Sequence, residues 1–280
     1  MANSILTNNS STVALQNLRN VNKNLSIVQE QISTGKKIGN AKDNASIFAI
    51  STVIKSDVEG FKKISDSLNL GSSTVAVARG AAEQITSLLT QVKGLIVQAQ
   101  ESNVDRTKIQ TDITELTNQV GSIVNAAQFN GLNLVKAATG TVNFLASLDR
   151  DSSGTVTASS ISVAAASLET SAGGGLAALA TVDVSTAAGA ASALTAIEGL
   201  IQTAVDASAA FGSSQKRIET QGEFVRQLTD ALTSGIGALT DADLEEASAR
   251  LQSLQVQQQL GIQALSIANQ SPQSILALFR

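Results

Sequence analysis

The densest chemistry-bearing run in this 280-residue chain is Asp243-Leu244-Glu245-Glu246, whose carboxylates could share a helix face and act as acid and base. The same run is also what a helix start asks for, because carboxylates offset the positive end of the helix dipole. Nothing else argues for catalysis. The chain contains no His and no Cys, which removes the imidazole base, the thiolate nucleophile and the soft metal ligands. No dense acidic loop with a sharp glycine turn offers oxygen ligands to a hard cation. The triple glycine at Gly173 and the run "GAASALTAIEGL" lack the Lys and the strand context of a phosphate loop. The residues therefore point away from an enzyme and toward no cofactor and no metal.

Composition narrows the classes further. Seven Phe with no Trp or Tyr leave the apolar load on Ala, Leu, Ile and Val, a mix that suits narrow helical seams better than a wide aromatic core. The formal charge of −4 is small and its signs are interspersed, so no basic footprint for nucleic acid exists. Without Cys there is no disulfide framework. The N-terminal stretch lacks the basic and apolar regions of a signal peptide, and no uninterrupted apolar run approaches a membrane span, so neither Sec export nor membrane insertion is expected.

The elements that would position any functional side chain follow from periodicity. Leu18, Val21, Leu25, Val28 and Ile32 alternate spacings of three and four, the seam of a coiled coil. Gly35 and Gly39 stop that helix, and Asp43 or Asn44 can cap the next. A second seam runs from Ile47 to Ala99, interrupted by Asp57 and Gly71, and predicts a rod of roughly 80 Å. A third continues from Ile109 to Ala127 and would fold back on the second as a hairpin. Alternating residues on either side of Asp151–Gly154 predict β-hairpin structure. The small-residue stretch 167–189 reads as a surface excursion rather than core. Heptads resume from Leu194 through Leu239. A capping signal, Thr240 with "DAD" after it, opens a last helix with Leu244, Ala247, Leu251, Leu254, Gly261, Leu265 and Ala268 in its seam, then Ile275, Leu278 and Phe279.

The expected fold is mainly α, a long antiparallel helical bundle or coiled coil with a small β-hairpin region and with the N- and C-terminal helices paired. Residues 1–43 and 240–280 would form the terminal coiled-coil domain, 44–140 and 190–239 a helical rod, and 141–189 the β-hairpin and variable excursion. Ile5, Leu15, Ile262, Ile267 and Leu276 are apolar yet lie outside the terminal seams. A two-helix pair cannot cover them, so neighbours from other chains are expected to do so.

Three stretches, "QEQISTGKKIGNAKDNASIFAI", "AAQFNGLNLV" and "DADLEEASARLQSLQVQQQLGIQALSIANQSPQSILALFR", closely resemble bacterial flagellin over roughly residues 1–140 and 190–280. The resemblance implies a short form with a reduced outer region. It further implies a structural subunit that self-assembles into the helical flagellar filament for motility, secreted through type III export to the extracellular flagellum. Implied partners are further copies of the chain, an export chaperone, the filament cap and hook-associated proteins, with no nucleic acid and no membrane. On this reading the terminal seams, including Ile275, Leu278 and Phe279, become buried on polymerisation. Alternatives are a hook-filament junction protein, which would devote more chain to its middle, and a chemoreceptor-like signalling coiled coil. A tight helical turn would join the halves of such a receptor, and residues 130–190 do not provide one.

The resemblance also maps a receptor-contact surface. In many flagellins the run reads Gln-Arg-Ile-Arg-Glu-Leu and is contacted by toll-like receptors; the matching residues are Thr90, Gln91, Val92, Lys93, Gly94 and Leu95, with Asp112 at a further position. Gln91 and Gly94 replace a forked donor and a carboxylate that an interface could use. Purified monomer is therefore expected to activate such a receptor weakly or not at all in a reporter cell, and a potent response would reject the reading. The Ser/Thr-rich stretch 141–190 is a candidate for O-linked sugar, and an intact mass equal to that of the bare chain would remove it.

Overall fold

The structure is a computed structural model that describes the backbone of residues 8–151 and 153–278 and the side chains of that range as far as residue 270. Among the described residues there are five α-helices and one β-hairpin: α1 (Asn9–Thr34), α2 (Ala45–Gln98), α3 (Arg106–Ala126), β1 (Thr141–Arg150), β2 (Val156–Ala164), α4 (Ala187–Thr240) and α5 (Leu244–Leu278). Short 3₁₀ turns occupy Ala137–Thr139 and Ala177–Thr181. The chain packs into two compact units, Met1–Ser56 with Ala231–Arg280, and Asp57–Asp230.

In the larger unit the core is a set of single-file seams. Ile64, Leu68, Val75, Ala82, Ile85, Leu89, Val92 and Ile96 of α2 are buried, as are Ile113 and Val120 of α3 and Ile197, Ala204, Phe211, Ile218 and Val225 of α4. Heptad spacing brings these to one face of each helix. Polar pairs fix the antiparallel register of α2 and α4: Arg79 Nε donates to Gln215 Oε1 at 3.0 Å, and Lys93 pairs with Glu198. Gln215, a polar interruption of the α4 seam, is thus a partner of α2. Ile50 of α2 and Leu239 of α4, expected in the seams, fall in the smaller unit and are exposed. By length and mean hydropathy α4, alone among the described residues, would suffice to cross a membrane, although it holds no uninterrupted apolar run, being broken by Glu198, Asp206 and many Ser, Thr and Gly residues. Its hydropathy comes from its alanine content; Ile197, Leu200, Phe211, Ile218 and Val225 lie in the core, while Val205 and Phe224 are exposed.

The β-hairpin pairs antiparallel from Thr141↔Ala164 to Arg150↔Val156, with a register shift between Leu145 and Ser147. Such a shift marks a bulge, and there Ala146 offers its carbonyl to Gln221 Nε2 of α4 at 3.0 Å. Phe144, Ala146, Ile161 and Val163 face inward and are buried. The two interruptions of the α2 seam are explained by this hairpin. At Gly71 a Cβ would lie 2.8 Å from the Phe144 ring, so only glycine lets the aromatic seat there. Asp57 accepts from Arg150 Nε at 3.1 Å and from Arg150 Nη2 at 2.5 Å, a two-pronged pairing at the far end of β1.

Residues 167–186 differ from the surface excursion expected of them. Leu168, Leu176, Leu179, Val182 and Val184 are buried. Gln110 of α3 holds the segment as a peptide group would, donating to the Val182 carbonyl at 3.0 Å and accepting from Val184 N–H at 2.8 Å. Two of the three consecutive glycines are a packing requirement: a Cβ at Gly174 would sit 2.1 Å from the Glu169 carbonyl oxygen, and one at Gly175 2.2 Å from that of Ser167, while Gly173 has φ +86 and open space around it. α4 also begins earlier than its heptads, at Ala187, where Thr186 Oγ1 accepts from Gly189 N–H at 3.0 Å.

Gly71→Ala should cost about 1–3 kcal/mol through overpacking and lower the melting temperature, and Phe144→Leu in the same chain should recover part of the loss. Gln110→Ala should cost about 1–2 kcal/mol by leaving the Val182 and Val184 groups unpaired. Thermal unfolding followed by circular dichroism measures both.

Candidate functional site: the terminal helix pair

The smaller unit is built on α1 and α5, which run antiparallel and carry the terminal seams. Asn8 caps α1 by accepting from Ser11 N–H at 3.1 Å, and its Nδ2 donates to the Ala268 carbonyl at 2.7 Å. Ser11 Oγ donates to Asn269 Oδ1 at 2.7 Å, and Gln258 Nε2 donates to Asn22 Oδ1 at 2.7 Å. Beyond these polar ties, toward the loop end of the pair, Val28, Ala247 and Leu254 form a buried cluster flanked by Val21, Leu25, Ile32 and Leu251. Leu18 and Leu265 are half-buried. Gly261 lets α1 approach closely, since a Cβ there would lie 3.2 Å from Leu18 Cδ1. Gln258 occupies a position that periodicity gives to an apolar residue, and such a polar layer pins register at some cost in stability.

At the other end of the pair the connecting loops hold one another. Lys37 and Ile38 N–H groups donate to the Thr240 carbonyl at 2.8 and 3.2 Å, and Ala242 N–H donates to the Gly35 carbonyl at 2.9 Å. Gly35 has φ +68 at the end of α1, the left-handed cap that glycine favours. Asn44, not Asp43, caps α2 by accepting from Ser46 and Ile47 N–H, while Asp43 accepts from Gly39 and Asn40 and closes the loop. Asp243, rather than Thr240, caps α5 by accepting from Glu245 and Glu246 N–H at 3.0 and 3.1 Å. Thr240 is the buried last residue of α4, bonded to the Ile236 carbonyl. The carboxylates of 243–246 thus sit at a helix start, in the geometry of capping.

What the pair leaves uncovered is as definite as what it buries. Val256, Leu260 and Ile267 of α5 are 55%, 57% and 69% exposed, and Ile262, Leu244, Val13, Leu15 and Ile27 are exposed as well. Leu244, expected in the seam, lies in the first turn of α5 outside the buried cluster. Ile275 and Leu278 belong to the described backbone of α5, but their side chains, like Leu276, and all of Ile5 and Phe279, lie outside the described residues.

The receptor-contact equivalents divide between surface and core. Thr90, Gln91, Gly94 and Asp112 are exposed, Leu95 is half-buried, and Lys93 is ion-paired with Glu198. Val92 is fully buried and belongs to the α2 seam. α3, which carries Asp112, is capped by Asp105; the Lys108 backbone N–H bonded to its carboxylate holds it below its ordinary value. Gln110, Asn133, the Asp57–Arg150 pair and the loop contacts at Thr240 escaped periodicity, though the polar Asp57 within a long seam was a signal.

The family model for the bacterial flagellin N-terminal helical region matches residues 5–140, and that for the C-terminal helical region matches residues 194–279. Flagellin FljM of Caulobacter vibrioides is 41% identical over 281 residues, covering 99% of each chain. A flagellin of Brucella melitensis is 39% identical over 284 residues, again covering 99% of each. The crystal structure of Bacillus cereus flagellin aligns with 56% of this chain and 86% of its own, at 19% identity and a TM-score of 0.45.

Leu254→Ala should destabilise the terminal pair by about 2 kcal/mol or more, read as lost protease resistance of α1 and α5. Because the Asp105 carboxyl is depressed in the folded chain, its contribution is complete above its unfolded value and is lost as pH falls through the lower folded value. Protection of the amides at the start of α3, taken relative to their intrinsic exchange rates, should therefore fall on acidification, and Asp105→Ala should abolish that dependence.

Proposed function

The chain belongs to the bacterial flagellin family, and we infer that it is a structural subunit of the flagellar filament, exported from the cell and assembled outside it for motility. The observation that carries this reading is the uncovered apolar surface of α1 and α5. A helix pair that leaves Val256, Leu260 and Ile267 in water gains by burying them against other copies.

The seam residues Leu18, Val21, Leu25, Val28, Ile32, Leu251, Leu254 and Leu265, expected to form the polymerisation surface, instead hold together the helix pair that presents it, since Val28 and Leu254 are already buried within the pair. Leu244 is exposed and joins the surface, with Ile275, Leu278 and Phe279 further along the chain. Residues 1–43 and 240–280 form its inner layer and 44–140 with 190–239 the helical rod. A dedicated export chaperone, the filament cap and hook-associated proteins complete its partners. Weak toll-like receptor activation follows from Gln91 and Gly94.

The triple substitution Val256→Ser, Leu260→Ser and Ile267→Ser tests the reading. Because all three side chains are exposed in the monomer, its stability should change by only about 0.5 kcal/mol per site. Seeded polymerisation followed by electron microscopy should then give long helical fibres from the native chain and none from the triple variant or from a chain lacking residues 241–280. Fibres from the triple variant would dismiss this surface.

A further inference from the structure

The dipeptide Asn130-Gly131 occurs once in the chain and forms the two-residue loop of a tight turn. Phe129 N–H donates to the Leu132 carbonyl at 2.9 Å, and Leu132 N–H donates back to the Phe129 carbonyl at 3.0 Å. Both loop residues have positive φ, +50 at Asn130 and +81 at Gly131, the backbone of a type I′ turn. Asn130 is the one non-glycine residue with positive φ among the described residues. Both residues are exposed, and no heavy atom lies within 4 Å of where a Gly131 Cβ would stand. An asparagine side-chain carbonyl therefore sits in open solvent beside a backbone nitrogen that no side chain screens.

We infer that Asn130 is a site of self-modification by deamidation. The Gly131 nitrogen, giving its proton to water, forms a bond to Cγ of Asn130. The bond from Cγ to Nδ2 then breaks, Nδ2 leaves as ammonia with a proton from water, and a five-membered succinimide remains. One water molecule reopens the ring. If the new bond to Cγ breaks, an aspartate is left at position 130. If the original bond from the Asn130 main-chain carbonyl to Gly131 breaks, the product is isoaspartate, whose main chain runs through Cβ. No oxidation state changes.

The two products differ in what they do to the fold. Aspartate before glycine suits a type I′ turn as well as asparagine does, so the first product keeps the loop. Isoaspartate adds a main-chain carbon to a two-residue loop and separates Phe129 from Leu132. The next residue is Asn133, which is buried and ties the exit from α3 together: its Nδ2 donates to the Val124 carbonyl at 2.7 Å and its Oδ1 accepts from Val135 N–H at 3.0 Å. Isoaspartate at position 130 therefore loosens the path from α3 into β1.

The full-length chain is aged, folded, in mildly alkaline buffer made with heavy-oxygen water, then digested with trypsin. Cleavage after Lys108 and Lys136 leaves Asn118, Asn125, Asn130 and Asn133 in one peptide, so three asparagines serve as internal controls. Fragmentation should find the amide-to-acid mass gain, with one heavy oxygen, at Asn130 well ahead of the other three, as isoaspartate and aspartate together. Asn130→Asp should melt with the native chain, while the isoaspartate-containing fraction melts lower. An Asn130 that stays an amide in the folded chain but converts in urea would overturn the inference by showing that the turn blocks ring closure. Conversion spread evenly over the four asparagines would overturn it as well.

Discussion

Short apolar side chains can bury surface only along a line, and that constraint governs this protein. With seven Phe and no Trp or Tyr, no residue type reaches far enough to fill a broad interior. The chain must bury many small contributions in series, and a long helix with a three-four repeat is the way to align them. The fully buried residues of α2 from Ile64 to Ile96 are that series. Each contributes little by itself, and together they hold a helix far longer than those of ordinary globular domains.

A line of contacts has weak points where something other than a small aliphatic side chain must fit. The β-hairpin supplies most of what fits there. Phe144 occupies the space that Gly71 leaves, and Arg150 meets Asp57. What reads as a defect in one seam is a complement to another element. The same holds for Gln110, whose amide completes the backbone pairing of a segment that forms neither helix nor strand, as buried backbone groups require.

In the terminal pair the constraint becomes a reason for association. Two helices in contact bury one stripe each, and α5 carries apolar residues on more than one. Polar ties at Asn8, Ser11, Asn22 and Gln258 set the register without adding apolar burial. A family whose members form filaments has use for such a surface, because neighbouring copies supply the missing burial.

Most described seam residues of α1, α2, α3 and α5, though not Ile50 or Leu244, the loop breaks at Gly35 and Gly154, and the pairing of α1 with α5 were legible in the sequence because helical periodicity is local and repeats many times. The family was legible for the same reason, its marks lying in unbroken runs at both ends. Tertiary structure alone decided the rest. It made residues 167–186 part of the core, although their composition suggests a linker, because burial without periodicity depends on Gln110, more than seventy positions away for Val182. It moved the α5 cap from Thr240 to Asp243, because Thr240 is claimed by the loop after α1. It also set Lys93 against Glu198 of α4, which no local period specifies because a charge pair depends on the elements that pack together, whereas spacing alone had already placed the neighbouring Val92 in the α2 seam.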